Sequence, residues 1–219
     1  MSSAVDICNL ALSHIGDEAE VIAIAPPDGT IQAAHCGRFY PVARDLLLEM
    51  HPWTFAMVRV QLAPIVAGAP SQWAYAYALP AKCLKSRGVY AADALDDAQS
   101  EDFIVEVGAD GNGVIYTNVP DAVLRYTRLV EDTTKFTPGF VVALGRSLAS
   151  MLAGPIIKGA TGAQVAQQQL KIFMVELANA KTQDANTDKR SDYRNRLSDG
   201  QRARGYFGVG SCFGRDGVE

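Results

Sequence analysis

Hydrophobic and polar positions change period twice along the chain. Residues 3–16 have helical spacing: Asp6, Asn9 and Ser13 form a polar stripe, Ile7, Leu10, Ala11 and Ile15 lie elsewhere on the wheel, and Gly16 is a natural stop. The stretch 21–29 contains Pro26-Pro27-Asp28-Gly29 and reads as a loop. Thr30 can cap a second helix over 30–51, whose apolar stripe is expected to be Ile31, Phe39, Val42, Leu46 and Met50. Pro41 falls inside it, where the ring presses on the carbonyl of Gly37, and predicts a kink.

From about 55 to 130 the period is two. Met57 to Leu62 alternates, and Trp73, Tyr75 and Tyr77 alternate with alanines. The apolar run 103–107 is separated from 114–117 by a glycine-rich link that reads as a hairpin turn, and 123–128 supplies another strand. This predicts one antiparallel sheet of four or five strands.

Helical spacing returns at Thr137-Pro138, a cap followed by a first-turn proline, over 138–158. Its stripe is Val141, Leu144, Leu148 and Leu152, interrupted at Gly154-Pro155. A last helix over 161–187 carries a narrow seam of Ala166, Leu170, Phe173, Leu177 and Ala180, suited to packing on neighbouring helices. Beyond 188 the stripe ends. Residues 189–219 have too little apolar surface to offset the entropy of ordering, and read as an arm that could extend roughly 100 Å. The expected fold is α+β and mainly helical. N- and C-terminal helices form a bundle in a body over 1–188, a small antiparallel sheet is inserted between them, and an extended C-terminal arm follows.

Charge is unevenly divided within a net −4: residues 189–219 hold seven basic and four acidic side chains, so the body is acidic and the tail basic. The longest apolar runs, 21–27 and 151–157, are too short to span a bilayer of roughly 30 Å, so no membrane segment is expected. Asp6 and Asn9 lie where a secretion signal would be apolar, which points to the cytosol. Cys8, Cys36, Cys83 and Cys212 are far apart, as are His14, His35 and His51; without metal-ligand spacing, no metal and no cofactor is predicted.

Four stretches invite a chemical reading. Gly208-Val209-Gly210-Ser211-Cys212-Phe213-Gly214 looks like a nucleotide loop or nucleophile elbow. The third glycine of the phosphate-loop pattern would fall on Phe213, and no glycine lies two before Ser211, so it matches neither. The acidic cluster Asp93, Asp96, Asp97, Glu101 and Asp102 lacks calcium-loop spacing, and a solvated loop is the simpler reading. Trp53, Phe55, Trp73, Tyr75 and Tyr77 could stack sugars or bases, but their alternation with alanine and place beside a helix end favour core packing. The Arg190–Arg204 stretch has a composition compatible with nucleic acid and equally with an acidic protein partner. No catalytic residue is assigned.

The segment from Arg38 through His51-Pro52-Trp53-Thr54-Phe55-Ala56 to Trp73-Ala74-Tyr75-Ala76-Tyr77-Ala78-Leu79-Pro80, with Asp6 to Gly16 before it and Leu148 to Ile156 and Leu170 to Asp184 after it, resembles the tail tubular protein A family. These are the head-to-tail adaptors of tailed bacteriophages. The resemblance runs from Val5 to about Asp188. Lys82 departs from it where relatives often carry an acid, which puts a local salt bridge in question.

The resemblance implies a structural, non-enzymatic virion protein at the head–tail interface, made in the host cytoplasm. Twelve copies would form a ring beneath the portal protein, extend the channel for double-stranded DNA without binding it specifically, and dock the tail nozzle or next tail protein. On that reading the arm contacts the portal or a neighbour through Arg190, Arg194, Arg196, Arg202, Arg204, Tyr206, Phe207 and Phe213. Asp93, Asp96, Asp97, Glu101 and Asp102 would line the bore, where acids let DNA slide because they neutralise no phosphate. The alternative is a virion-associated hydrolase of polysaccharide or peptidoglycan, which needs two carboxylates at defined separation; the sequence singles out no such pair.

Overall fold

A computed structural model describes residues 2–65, 70, 72–94, 100–108 and 110–187. The fold is α+β and mainly helical, with four helices, α1 (Ala4–His14), α2 (Ile31–Met50), α3 (Pro138–Ile157) and α4 (Gly159–Thr187), and six strands between α2 and α3. The helix starts are set by side-chain chemistry. Ser3 and Asp6 form a reciprocal capping box on α1, with Ser3 N–H donating to Asp6 Oδ2 at 2.8 Å and Asp6 N–H to Ser3 Oγ at 3.1 Å. Thr30 caps α2 by accepting from Ala33 N–H, and Thr137 caps α3 by accepting from Phe140 N–H.

α3 is the central helix: both α1 and α2 pack on it, burying Phe140, Ala143, Leu144, Leu148, Ala149 and Leu152. By length and hydropathy it could cross a membrane, yet its role in the fold is to fill the core of this bundle. The buried stripe ends at Ala153, as expected from Gly154-Pro155. The helix runs through Pro155 and breaks at Lys158 (φ 61°, ψ 168°), from which α4 departs.

Two expected stripes are corrected. In α2 the buried positions are Ala33, Cys36, Tyr40, Ala43, Arg44, Leu47 and Leu48. Of the expected stripe, Phe39 is half-buried, while Ile31, Val42, Leu46 and Met50 are 71, 56, 42 and 38 % exposed. The reason is steric. Small residues let α2 approach its neighbours closely, and a Cβ on Gly37 would sit 2.9 Å from the Ile24 carbonyl oxygen, so the face carrying Ala33, Cys36 and Ala43 turns inward. Pro41 sits inside α2, which continues to Met50.

In α4, Gln169 takes the inward place expected for Leu170, which is 45 % exposed. Gln169 accepts from an Arg146 N–H at 3.0 Å and donates to the His14 carbonyl at 2.7 Å, so a buried amide satisfies the end of α1 where a leucine could not. Phe173, Leu177 and Ala180 are buried as expected; burial of each of the two larger side chains is worth roughly 1.5–3 kcal/mol. Asn9, in the polar stripe of α1, turns to the backbone. It donates to the Val21 carbonyl at 3.0 Å and accepts from Val21 N–H at 2.9 Å, which pins the loop after α1.

The single expected sheet is two three-stranded antiparallel sheets. β1 (Met57–Gln61), β6 (Val123–Arg128) and β3 (Cys83–Tyr90) lie in the order β1-β6-β3; β2 (Tyr75–Ala78), β5 (Gly113–Thr117) and β4 (Phe103–Val107) in the order β2-β5-β4. Isolated bridges, Val89 with Glu101 and Pro64 with Tyr77, join the sheets around a second core of Leu62, Tyr77, Val89, Ile115, Leu124 and Tyr126. The expected hairpin joins β4 to β5. β3 was not anticipated because its pairing shifts register between Cys83 and Lys85 and again between Ser86 and Gly88, which removes the two-residue period.

Candidate assembly surface

The junction of α2 with the sheets is built on one ring. Trp53 is fully buried, and its indole N–H donates to the Leu47 carbonyl at 2.8 Å, satisfying an end group of α2. Phe140 meets Trp53 and Phe55 edge-on at 5.1 Å each, and Phe136 lies 4.7 Å from Phe140. The aromatic series therefore divides. Trp53 and Tyr77 are core, the latter donating its hydroxyl to the Val119 carbonyl, whereas Tyr75 is 40 % exposed.

Asp184, near the end of α4, reaches the same junction. Its carboxylate accepts from Thr54 N–H at 3.1 Å and lies 3.2 Å from His51 Nε2. The nearby carboxylate would raise the His51 pKa, but burial outweighs it and holds the imidazole below its usual 6.5. His14 is likewise lowered, by burial first and then by the Arg146 guanidinium. In both cases the folded state binds the proton less readily than the unfolded chain, so their contribution is complete above about pH 6.5 and is lost as pH falls below it. The melting temperature is expected to fall as pH is lowered from about 7 to 5.5, a window above the carboxylate range. In differential scanning calorimetry this slope should flatten in His14→Gln; an unchanged slope would show that His14 does not titrate with folding.

Of the acidic cluster, Asp93, Glu101 and Asp102 are exposed, and Asp96 and Asp97 lie outside the described residues. Glu101 N–H donates to the Val89 carbonyl and the Asp102 carbonyl accepts from Thr117 Oγ1, so backbone bonds fix these two residues where the sheets meet. The arm residues Arg190, Arg194, Arg196, Arg202, Arg204, Tyr206, Phe207 and Phe213 lie outside the described residues. Cys8 and Cys36 are buried free thiols beside each other, and the neighbouring Cys36 and burial push Cys8 up, away from the reactive thiolate. Among the described residues no group of three His, Cys, Asp or Glu side chains could hold a metal ion.

An open cleft of about 390 Å³ lies beside Phe55, Ala56 and Val58 and carries Lys82, Arg128, Glu131, Asp132 and Lys135. Lys82, whose pairing the sequence left in question, forms an ion pair with Glu131, and Lys135 lies 3.9 Å from Asp132. Hydrogen bonding from Lys82 holds the Glu131 carboxyl low, and hydrogen bonds from Thr134 hold Asp132 low. Neither is set up as the proton donor that glycoside hydrolysis requires.

The surface feature with most to explain is apolar. Val42, Leu46 and Met50 follow one another at four-residue steps on the outside of α2, and Leu170, Met174 and Val175 are exposed on α4. Sequence periodicity placed part of this set in the core; its exposure could be found only once the packing of α2 on α3 was known. No protein-family model matches the chain, and no curated protein matches it.

Proposed function

We propose that the protein is a structural head-to-tail adaptor of a phage virion, a ring subunit beneath the portal that extends the DNA channel and docks the next tail component. The observation that carries this reading is the apolar row Val42, Leu46 and Met50 on the outside of α2, beside the aromatic junction whose sequence carries the family resemblance. Exposed side chains in register at four-residue steps are what helix-to-helix contact between subunits uses, and leaving them in water is unfavourable. In the ring, these rows face neighbouring copies, the acidic residues at the seam of the two sheets keep the DNA path free of phosphate-binding cations, and the basic residues after 188 supply a tether of opposite charge to the body.

Electron microscopy of the full chain mixed with the portal protein of the same virion tests the reading. Rings seated on the portal are expected, twelve-membered if the family likeness extends to stoichiometry. Failure of the mixture to form any ring, or hydrolysis of polysaccharide by the purified chain, would overturn it.

A further inference from the structure

β4 is the open edge of its sheet, and its register with β5 shows which of its backbone groups are unused. Gly108 N–H donates to the Asn112 carbonyl, and the pairing runs from Phe103 opposite Thr117 to Val107 opposite Gly113. Residues 104, 106 and 108 therefore turn their N–H and C=O groups toward β5, and Phe103, Val105 and Val107 turn theirs outward. Glu101 uses that outer side to bond Val89; among the described residues no backbone hydrogen bond reaches the outer side of 103–107. Side chains on both faces of the strand are exposed, Ile104 at 40 %, Val105 at 41 % and Val107 at 74 %. The strand has none of the lysines, prolines or bulges that ordinarily blunt such an edge.

We propose that this edge pairs with β4 of a second copy, antiparallel, about a twofold axis through Val105. The sequence Phe-Ile-Val-Glu-Val is self-complementary in that register. Phe103 lies opposite Val107, Val105 opposite itself, and Ile104 opposite Glu106, so every outward backbone group meets another and no like charges stand directly opposed. Moving the axis one residue along reduces the overlap, and toward the C-terminal end it sets Glu106 against Glu106. The product is one continuous antiparallel sheet, β2-β5-β4 joined to its twofold mate. A twofold contact cannot be repeated around a ring, so this interface belongs to the free chain and stands independently of the ring proposed above.

Directly opposed residues in a hydrogen-bonded antiparallel pair have Cα atoms about 5.5 Å apart, within the range a disulfide spans. The test uses the full chain carrying Cys83→Ser and Cys212→Ser, with Val105→Cys added, under copper-phenanthroline oxidation. Ile22→Cys in the same background, at a site 81 % exposed, is the collision control. A disulfide-linked dimer should form about tenfold faster or more in the Val105 variant than in the control, because pairing raises the local thiol concentration. In the otherwise unaltered chain, Val107→Lys should abolish the dimer seen by sedimentation velocity while keeping the melting temperature. Cross-linking no faster than the Ile22 control, a chain that stays monomeric at every soluble concentration, or a dimer that survives Val107→Lys would each overturn the proposal. None of these outcomes bears on rings formed with the portal.

Discussion

Replacing Trp53 with alanine is expected to destabilise the helical body by about 3–5 kcal/mol, the largest effect of any single substitution considered for this chain. Three losses combine. The fully buried indole leaves a cavity at the meeting point of α2 and α3, Phe140 loses one of its two edge-on partners, and the Leu47 carbonyl loses its buried donor. Trp53→Phe separates these contributions, since it restores a ring but no N–H. It should recover part of the loss and leave about 1–3 kcal/mol for the unsatisfied carbonyl. Urea unfolding followed by circular dichroism measures both. A midpoint for Trp53→Ala within error of the unaltered protein would mean that this ring is not the anchor.

Changing Leu46 to aspartate is expected to have the opposite signature, with folding kept and assembly lost. Leu46 is 42 % exposed and lies outside the bundle core, so the carboxylate remains hydrated in the single chain and stability should change by less than about 0.5 kcal/mol. In a ring, that carboxylate would be desolvated against a neighbour's apolar surface. A central contact of this kind is worth about 2 kcal/mol or more, or roughly a thirtyfold loss of association at each interface, and a closed ring repeats it at each contact. Electron microscopy should therefore show no rings with the portal, while the unfolding midpoint stays unchanged. Normal rings from the Leu46→Asp chain would remove α2 from the interface.

The parts of this fold that could be read from sequence are those written in local chemistry. Ser3, Thr30 and Thr137 mark helix starts because each supplies an oxygen to a backbone N–H a few residues on, and Gly16 ends its helix region with a positive φ of 78°. The glycine-rich link between β4 and β5 was legible for the same reason. Faces were harder to assign. Leu46, Leu47 and Leu48 follow one another in α2, so spacing alone cannot say which of them points inward; the approach of Gly37 to the Ile24 carbonyl contributes to that choice. Leu170 was placed inward instead of Gln169, and the bonds of Gln169 and Asn9 could not be read, because their partners, His14 and Val21, become neighbours only after folding. The candidate surface was partly legible. Acidic positions beside β4 could be named, but their anchoring through Val89 and Thr117 depends on strand pairing that bulges in β3 concealed.

The order of the chain has a further effect on how this protein is made. Residues 57–128 contain the six strands of the described residues, so the sheet lobe has these pairing partners as soon as it leaves the ribosome. α1 and α2 emerge earlier but find their main packing partner only in α3, which begins at Pro138. At roughly 5–20 residues per second, the first two helices wait on the order of several seconds with their inner faces uncovered. Asp184 then closes the junction from the last turns of α4, so synthesis must pass that residue before the segment after α2 is secured. During that interval the nascent N-terminal helices are natural clients for a chaperone, and slow codons between Met50 and Pro138 would lengthen their exposure.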